Sequence, residues 1–471
     1  MTGRVSLFMI LGLSLLMITL NSGRNTNDAV DNFVTYENKS NAYSIARSGA
    51  NLVATALYFG NTAATIGTGS AASLSNFRND VDFQGGKLNV TVTPDAGRLR
   101  VVSQGTYPAS GPGKQSVSFV SYLSPGFFDE YVVLTDNDPG NIPWTTYDTA
   151  NGNLHSNNTL LIDHYNGNPV MPVFNGTVTT TLPVTITSGT VPVFTHGVPR
   201  SGITIQFPAS LPQPSDPVFA PGGPGPDWGQ KYTINNGEVI DSHQQLHLQF
   251  YIDGMGDQKI RYFTDVRLTN RGTGCQSPDN TGYYGDFRST DPVIDPPSSG
   301  VIPTRGVDVF VEGTIKGKIS VLSDTAGAAG GNIVITNDLL CNTDPRNDPT
   351  SGDIIGLLAN KNVIIGNTDV NAANSGSNVF TIQASIFALR GGVSGADNQN
   401  RKRQRLEIYG SITQGVRKGV GSGGNAIGAG TGGFMKGYRY DYRLQHQHAL
   451  EMPGAPLMTL DSYFIKASGG S

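Results

Sequence analysis

The chain has 471 residues, a formal net charge of −4, 14% charged residues, 60 glycines, 27 prolines and two cysteines. That length suggests two or three folded units. The weak negative charge removes the electrostatic footprint of a nucleic-acid binder, and two distant cysteines exclude a Cys-type zinc centre. Glycine and proline are abundant but below the range of disordered chains, so a folded, turn-rich body is expected.

The N-terminus carries an apolar run. Arg4 precedes Val5 to Leu20, a segment about 24 Å long as a helix, slightly short of the hydrocarbon core of a bilayer. Thr19-Leu20-Asn21-Ser22-Gly23 offers no small-residue cleavage site for a signal peptidase and no lipoprotein cysteine follows, so the segment is expected to stay attached, with Arg4 favouring a cytoplasmic start. Beyond it, Ala29, Phe33, Tyr36, Ser40, Tyr43, Arg47, Ala50, Val53 and Leu57 recur at steps of three and four, the spacing of one helix face. Asn25-Thr26-Asn27-Asp28 supplies N-cap candidates for a helix that restarts there. Ala42, Ala46, Gly49 and Ala50 make a ridge of small side chains suited to close packing. Two partners fit this ridge: the chain's own β domain, or other copies in a filament or membrane complex.

Met1 to Gly12 and Ser44-Ile45-Ala46-Arg47-Ser48-Gly49-Ala50 resemble the N-terminus of PilX-like proteins, the minor pilins of bacterial type IV pilus systems. That family opens with a short leader ending in glycine, then a hydrophobic helix and an alanine-rich segment. The resemblance implies cleavage between Gly3 and Arg4 and an assembly helix. Its contacts would include Phe8, Leu11, Leu13, Leu16, Phe33, Tyr43, Ala46, Gly49 and Ala50. The sequence departs from major pilins at Phe8, where they carry glutamate, and at Arg47-Ser48, which replaces a glutamate-alanine pair. It further implies that pilus or pseudopilus subunits, or the membrane, are the partners of this helix, with homo-oligomers among the assemblies. Gly152 to Asn157, Gly167 to Val178, Gly313 to Gly317 and Asp353 to Ala359 resemble segments of PilX-like proteins that carry a domain of unknown function.

The rest reads as β structure. Leu88 to Val92 alternates, Pro94-Asp95-Ala96-Gly97 has turn chemistry, and Leu99 to Val102 returns. Ser116 to Tyr122 is a further alternating strand, and Asp136 to Gly140 a turn-rich loop. From Asn151 onward a motif recurs in which a central glycine is followed by Ser or Thr and a β-branched residue. It occurs as Phe174-Asn175-Gly176-Thr177-Val178, Val311-Glu312-Gly313-Thr314-Ile315 and Ile408-Tyr409-Gly410-Ser411-Ile412. Short strands between Gly, Asn and Asp turns predict stacked rungs of a parallel β-helix, with a β-sandwich as the alternative. Ile315, Ile333, Ile335, Ile364 and Ile408 are expected in one apolar interior, with Gly313 and Gly410 at bends. Proline-rich stretches at 208–229 and 272–304 suggest loops. The expected division is therefore 1–60, a hydrophobic and amphipathic helix; 61–304, a β-rich domain; and 305–471, a β-helix-like domain with a tail. The fold class is mainly β with one long N-terminal α-helix.

No constellation points firmly to catalysis. His155-Ser156-Asn157 with Asp163-His164 lacks a nucleophile elbow. Asp241, His243 and His247 offer two histidines on one strand face without a third committed ligand. Gln445-His446-Gln447-His448 reads as a surface segment, and Asp136-Asn137-Asp138 starts like a calcium loop without its later glycine and glutamate. Asp308, Glu312 and Glu407 are carboxylates of the kind β-helix enzymes use. Arg401 to Arg405 is a basic run before the apolar strand Leu406-Glu407-Ile408, placed like a gatekeeper. Cys275 and Cys341 would pair only if their Cα atoms come within roughly 7 Å. The expectation is a noncatalytic envelope protein without a cofactor, its body periplasmic or extracellular. A surface adhesin or glycan-binding module and a carbohydrate-active β-helix enzyme are the alternatives.

Overall fold

The computed structural model describes residues 2–59, 78–95, 98–163, 170–187, 189–212, 245–263, 287–305, 308–324, 331–366, 379–395, 402–421 and 433–467. They fall into two compact units: 1–126 with 456–471, and 127–455. The second unit is thus inserted into the first. The sequence-based boundaries near 60 and 304 do not coincide with this division. The one near 304 falls between Val301–Arg305 and Asp308–Ile315, which are consecutive elements of the same unit.

In the first unit, Thr2–Phe59 is one helix of 58 residues, about 87 Å long at 1.5 Å per residue. It runs through Asn25–Asp28 without restarting, so the N-cap candidates there cap nothing. Its C-terminal part lies on a five-stranded sheet ordered Arg78–Phe83, Gly86–Asp95, Arg98–Tyr107, Gln115–Phe127 and Gly454–Ala467. The first three pairings are antiparallel. The antiparallel register brings Asp95 opposite Arg98; Ala96 and Gly97 of the expected turn lie outside the described residues. Alternation along Leu88, Val90 and Val92, and along Leu99 and Val101, sends one face of the sheet inward. There it forms a core with Ile45 and Val53 of the helix and with Leu123.

The second unit is built mainly from parallel strands. One column takes Gln245–Ile252, Asp308–Ile315 and Ile333–Cys341 in that order, and the last of these pairs with both Val363–Ile365 and Phe380–Ile382. The column continues through Lys402–Val416 and Gly433–Tyr440. The next strand is not later in the chain but earlier. Gly433–Tyr440 pairs with Thr149–Asn151, which leads to Val173–Asn175 and Val193–Phe194. A second column repeats the pattern through Val301–Arg305, Lys318–Asp324, Ile354–Ala359, Ser385–Ala388 and Lys402–Val416. It then also steps back in sequence, to Val133–Asn137, Leu154–Ser156 and Val178–Thr180. The strands therefore stack in two parallel columns whose sequence order is permuted, with a seam between residues 402–440 and residues 133–151. Antiparallel pairing in this unit is confined, among the described residues, to Gln258–Phe263 with its two neighbours.

Two glycines of the recurring motif hold a backbone suited to glycine, and Gly410 marks the corner where Lys402–Val416 passes from one column to the other. Gly313 and Gly410 have φ of +110° and +156°, a region that side chains with a Cβ avoid. A Cβ on Gly313 would also strike the Phe250 carbonyl, and one on Gly410 would come within 2.6 Å of the Ala384 carbonyl carbon. Ile315, Ile333, Ile335 and Ile408 are fully or almost fully buried. Ile364 departs from expectation. It pairs with Val334, which pairs with Phe310; these three form a separate buried cluster. Val334 lies between Ile333 and Ile335, so successive side chains alternate and Ile364 belongs to the opposite face.

Candidate assembly surface and buried polar clusters

The helix divides into two parts of different character. Leu11, Leu13, Leu15, Leu16, Met17, Ile18 and Leu20 are all 58–65% exposed. Consecutive positions point in every direction around a helix, so this is an apolar cylinder and not a stripe. Val30, Phe33 and Tyr36 continue as exposed apolar positions further along. Among the described residues, no helix is long and apolar enough to cross a membrane. Gly3 and Arg4 lie in the first turns of the helix; the side chain of Phe8 is outside the described ones.

From Ala42 onward the helix is bound to its own sheet. Ala42, Ile45, Ala46 and Val53 are at most 1% exposed, and Ala50 is 7% exposed. The small-residue ridge does what such a ridge allows. A Cβ on Gly105 of the sheet would meet the Ala42 carbonyl oxygen and lie 2.6 Å from the Ala46 backbone nitrogen, so helix and strand backbones touch. Gly49 faces Ser103, Leu88 and Val90 with no room for a side chain. Ala46 and Ala50 cluster with Phe119 and Tyr43, whose ring centroid is 6.4 Å from that of Phe119. Of the nine positions expected on an assembly helix, Leu11, Leu13, Leu16 and Phe33 are thus exposed. Tyr43, Ala46, Gly49 and Ala50 make intramolecular contacts with the chain's own sheet, the first of the two partners weighed for this ridge.

The polar clusters of the body are mostly closed networks. His155 is buried. Its Nδ1 lies 2.8 Å from Thr179 Oγ1 and its Nε2 2.9 Å from Asn157 Oδ1, and burial pushes the imidazole below its usual pKa. Ser156 donates to the Thr159 carbonyl instead. Neighbouring strand residues face opposite ways, so His155 and Ser156 do not form a nucleophile–base pair; His164 lies outside the described residues. Asp136 accepts from Asn157, and Asp138 is paired with Arg417 at 2.8 Å inside the protein. The two carboxylates of the calcium-like stretch are therefore spent on protein donors. His247 is buried between the rings of Phe263 and Phe310, at centroid distances of 4.2 and 4.4 Å, while Asp241 and His243 lie outside the described residues. Among the described residues, no three His, Cys, Asp or Glu side chains are grouped to hold a metal ion.

Glu312 is buried, its carboxylate accepting from Gln249 and Thr336. Asp308 accepts from Asn332. Glu407 sits at the surface with Arg405 and Arg346. These three carboxylates serve separate networks. Arg405 is the described part of the basic run and precedes the buried Leu406 and Ile408, where a gatekeeper would stand. His448 Nδ1 is 2.8 Å from the buried carboxylate of Asp129, and its ring stacks on Phe127 at 3.7 Å. Cys341 is a buried free thiol beside the Asp353 carbonyl, and burial pushes its pKa up to about 12. Cys275 lies outside the described residues.

One cluster has no counterpart in the sequence reading. Trp144 is 1% exposed and two cations lie over its ring. Arg417 Cζ is 5.1 Å and Lys436 Nζ 5.0 Å from the ring centroid. Arg417 pairs with Asp138, and Lys436 pairs with Asp148 at 2.5 Å. Burial lowers the pKa of Lys436, opposed by Asp148 and reinforced by Arg417. The five residues come from 138–148 and 417–436, and no local motif announces them.

No family model and no curated protein matches the chain. The crystal structure of the competence-associated pilin ComZ from Thermus thermophilus is similar over 83% of this chain and 86% of that one, at 12% identity and a TM-score of 0.32.

Proposed function

We propose that this protein is a noncatalytic, pilin-like subunit of the bacterial cell envelope, which assembles through the N-terminal half of its helix and displays the β-rich units outward. The observation that carries the reading is the division of the helix. One half is anchored on its own sheet by backbone-to-backbone packing at Gly105. The other extends from it as a cylinder of exposed leucine, isoleucine and methionine. An isolated helix that is apolar on every side belongs in a protein or lipid interior. Burying each of those side chains gains roughly 1–2 kcal/mol, enough when summed over copies to drive bundling. The resemblance of residues 1–12 and 44–50 to minor pilins supports the same reading, as does the absorption of the polar clusters into structural networks.

The test is replacement of Leu13 or Leu16 by Asp in the full chain, followed by fractionation of cells into sheared surface filaments, membranes and soluble material. Both variants should drop out of filaments and membranes, while circular dichroism shows the β units intact. Normal incorporation of both would mean that the helix is not the assembly element. N-terminal mass spectrometry of the native protein decides whether it begins at Arg4, as a leader ending in Gly3 requires.

A further inference from the structure

The cationic cluster around Trp144 borders a cavity of about 20 Å³, lined also by Val133, Ile412, Gln414 and Lys418. It sits at the seam of the permuted stack, where Val133–Asn137 meets Lys402–Val416. A guest the size of one water needs at least about 10–15 Å³, so the space fits a single small species. We propose that the cavity binds one small monovalent anion, of the size of chloride or bromide, between Arg417 and Lys436.

The lining selects for an acceptor. Arg417 is 5% exposed and donates through Nη1 to Asp138 at 2.8 Å, while its Nη2 is buried without a hydrogen-bond partner. Lys436 Nζ donates to Asp148 and to the Pro143 carbonyl at 3.2 Å. An ammonium has three N–H donors, so one remains. The Gln414 amide is already committed, donating to Thr135 Oγ1 and accepting from the Val393 backbone nitrogen, each at 3.1 Å. A water molecule would bring two hydrogens of its own towards Arg417 and Lys436, whose free groups are donors. A halide accepts from both cations and needs no partner in return.

The charge count points the same way. Arg417 and Lys436 are each paired with a buried carboxylate, Asp138 and Asp148, and the exposed Lys418 in the lining adds one further positive charge. A bound anion balances that charge across the cavity. It also ties residues 133–148 to residues 412–438, the two stretches the seam must join.

The test needs no variant at first. Thermal unfolding of the full-length protein is compared in sodium chloride, sodium bromide and sodium gluconate at equal ionic strength. Halide should raise the midpoint of the body's transition by about 2–4 °C over gluconate. Crystals soaked in bromide should show an anomalous peak within hydrogen-bond reach of Arg417 Nη2 and Lys436 Nζ. Lys418→Gln, at an exposed position, should fold normally and bind bromide several-fold more weakly, and Arg417→Gln should lose the halide effect. Equal midpoints in all three salts, or bromide peaks only at surface sites (an adventitious ion only), would overturn the proposal.

Discussion

Gly105→Ala tests how the helix is held. The added Cβ would lie 2.6 Å from the Ala46 nitrogen and closer still to the Ala42 carbonyl oxygen, where real Cβ atoms essentially never approach below 3.0 Å. Both obstacles are helix backbone, so no side-chain rotation relieves them. The helix must retreat by about 0.5–1 Å, and a gap of that size forfeits a quarter to a half of the dispersion energy of each contact it opens. The contacts at risk are those of Ile45 and Val53 with Leu88 and Val90 on one strand and Val101 on its neighbour. Overpacking of this kind costs typically 1–3 kcal/mol, and the upper half of that range is expected here. The assay is amide hydrogen exchange of the full-length protein, read over residues 42–53. Protection there should fall by about 30-fold or more, while exchange at Ile354–Ala359 in the other unit stays unchanged. Unaltered protection would refute direct backbone contact as the anchor of the helix.

Three further outcomes are expected. Gly410→Ala should destabilise the stacked strands by about 2–3 kcal/mol, from its positive φ and the Ala384 backbone; an unchanged denaturant midpoint would contradict the corner assignment. The folded-state pKa of His155 is depressed by burial from its ordinary 6.5. The unfolded chain therefore binds the proton more readily, and the stability His155 confers is complete above 6.5 and is lost as pH falls through the folded value. Denaturant titrations from pH 8 to pH 5 should show that decline, and His155→Gln should make it shallower; parallel profiles would count against it. Cys341, buried with its thiol pushed up to about 12, should resist maleimide at pH 8 until the protein is unfolded; rapid labelling of Cys341 in the native state, identified by peptide mapping, would show it to be accessible.

Much of the architecture was legible because it rests on local chemistry. The spacing of Ala42, Ala46, Gly49 and Ala50 announced a close-packing ridge, and the alternation of Leu88 to Val92 and Leu99 to Val102 announced two paired strands. Gly313 and Gly410 of the recurring motif hold their positions because only glycine takes that backbone beside a carbonyl. What misled was equally physical. Val363-Ile364-Ile365 is apolar at every position, and such a strand does not declare which face is inward. A ridge of small residues specifies a close neighbour without saying whose, so Ala46, Gly49 and Ala50 were readable as contacts between copies. The seam, the return of Gly454–Ala467 to the first sheet and the Trp144 cluster depend on residues far apart in sequence, and pairing across such separations leaves no periodic trace.

The permuted order of the strands sets a timetable for synthesis. Gln414 meets Thr135 across 279 positions, so the strand at Val133–Asn137 leaves the ribosome long before its neighbour exists. Until then its edge is an open template for other chains. The first sheet waits longer still, because its strand Gly454–Ala467 is made only after the whole stack. A chain stopped short of residue 402 lacks the partner strand of Val133–Asn137, and one stopped short of 454 lacks the last strand of the first sheet. Completion of both units is thereby tied to synthesis of residues 402–467, and truncated products should be insoluble in proportion to how much of the seam they lack.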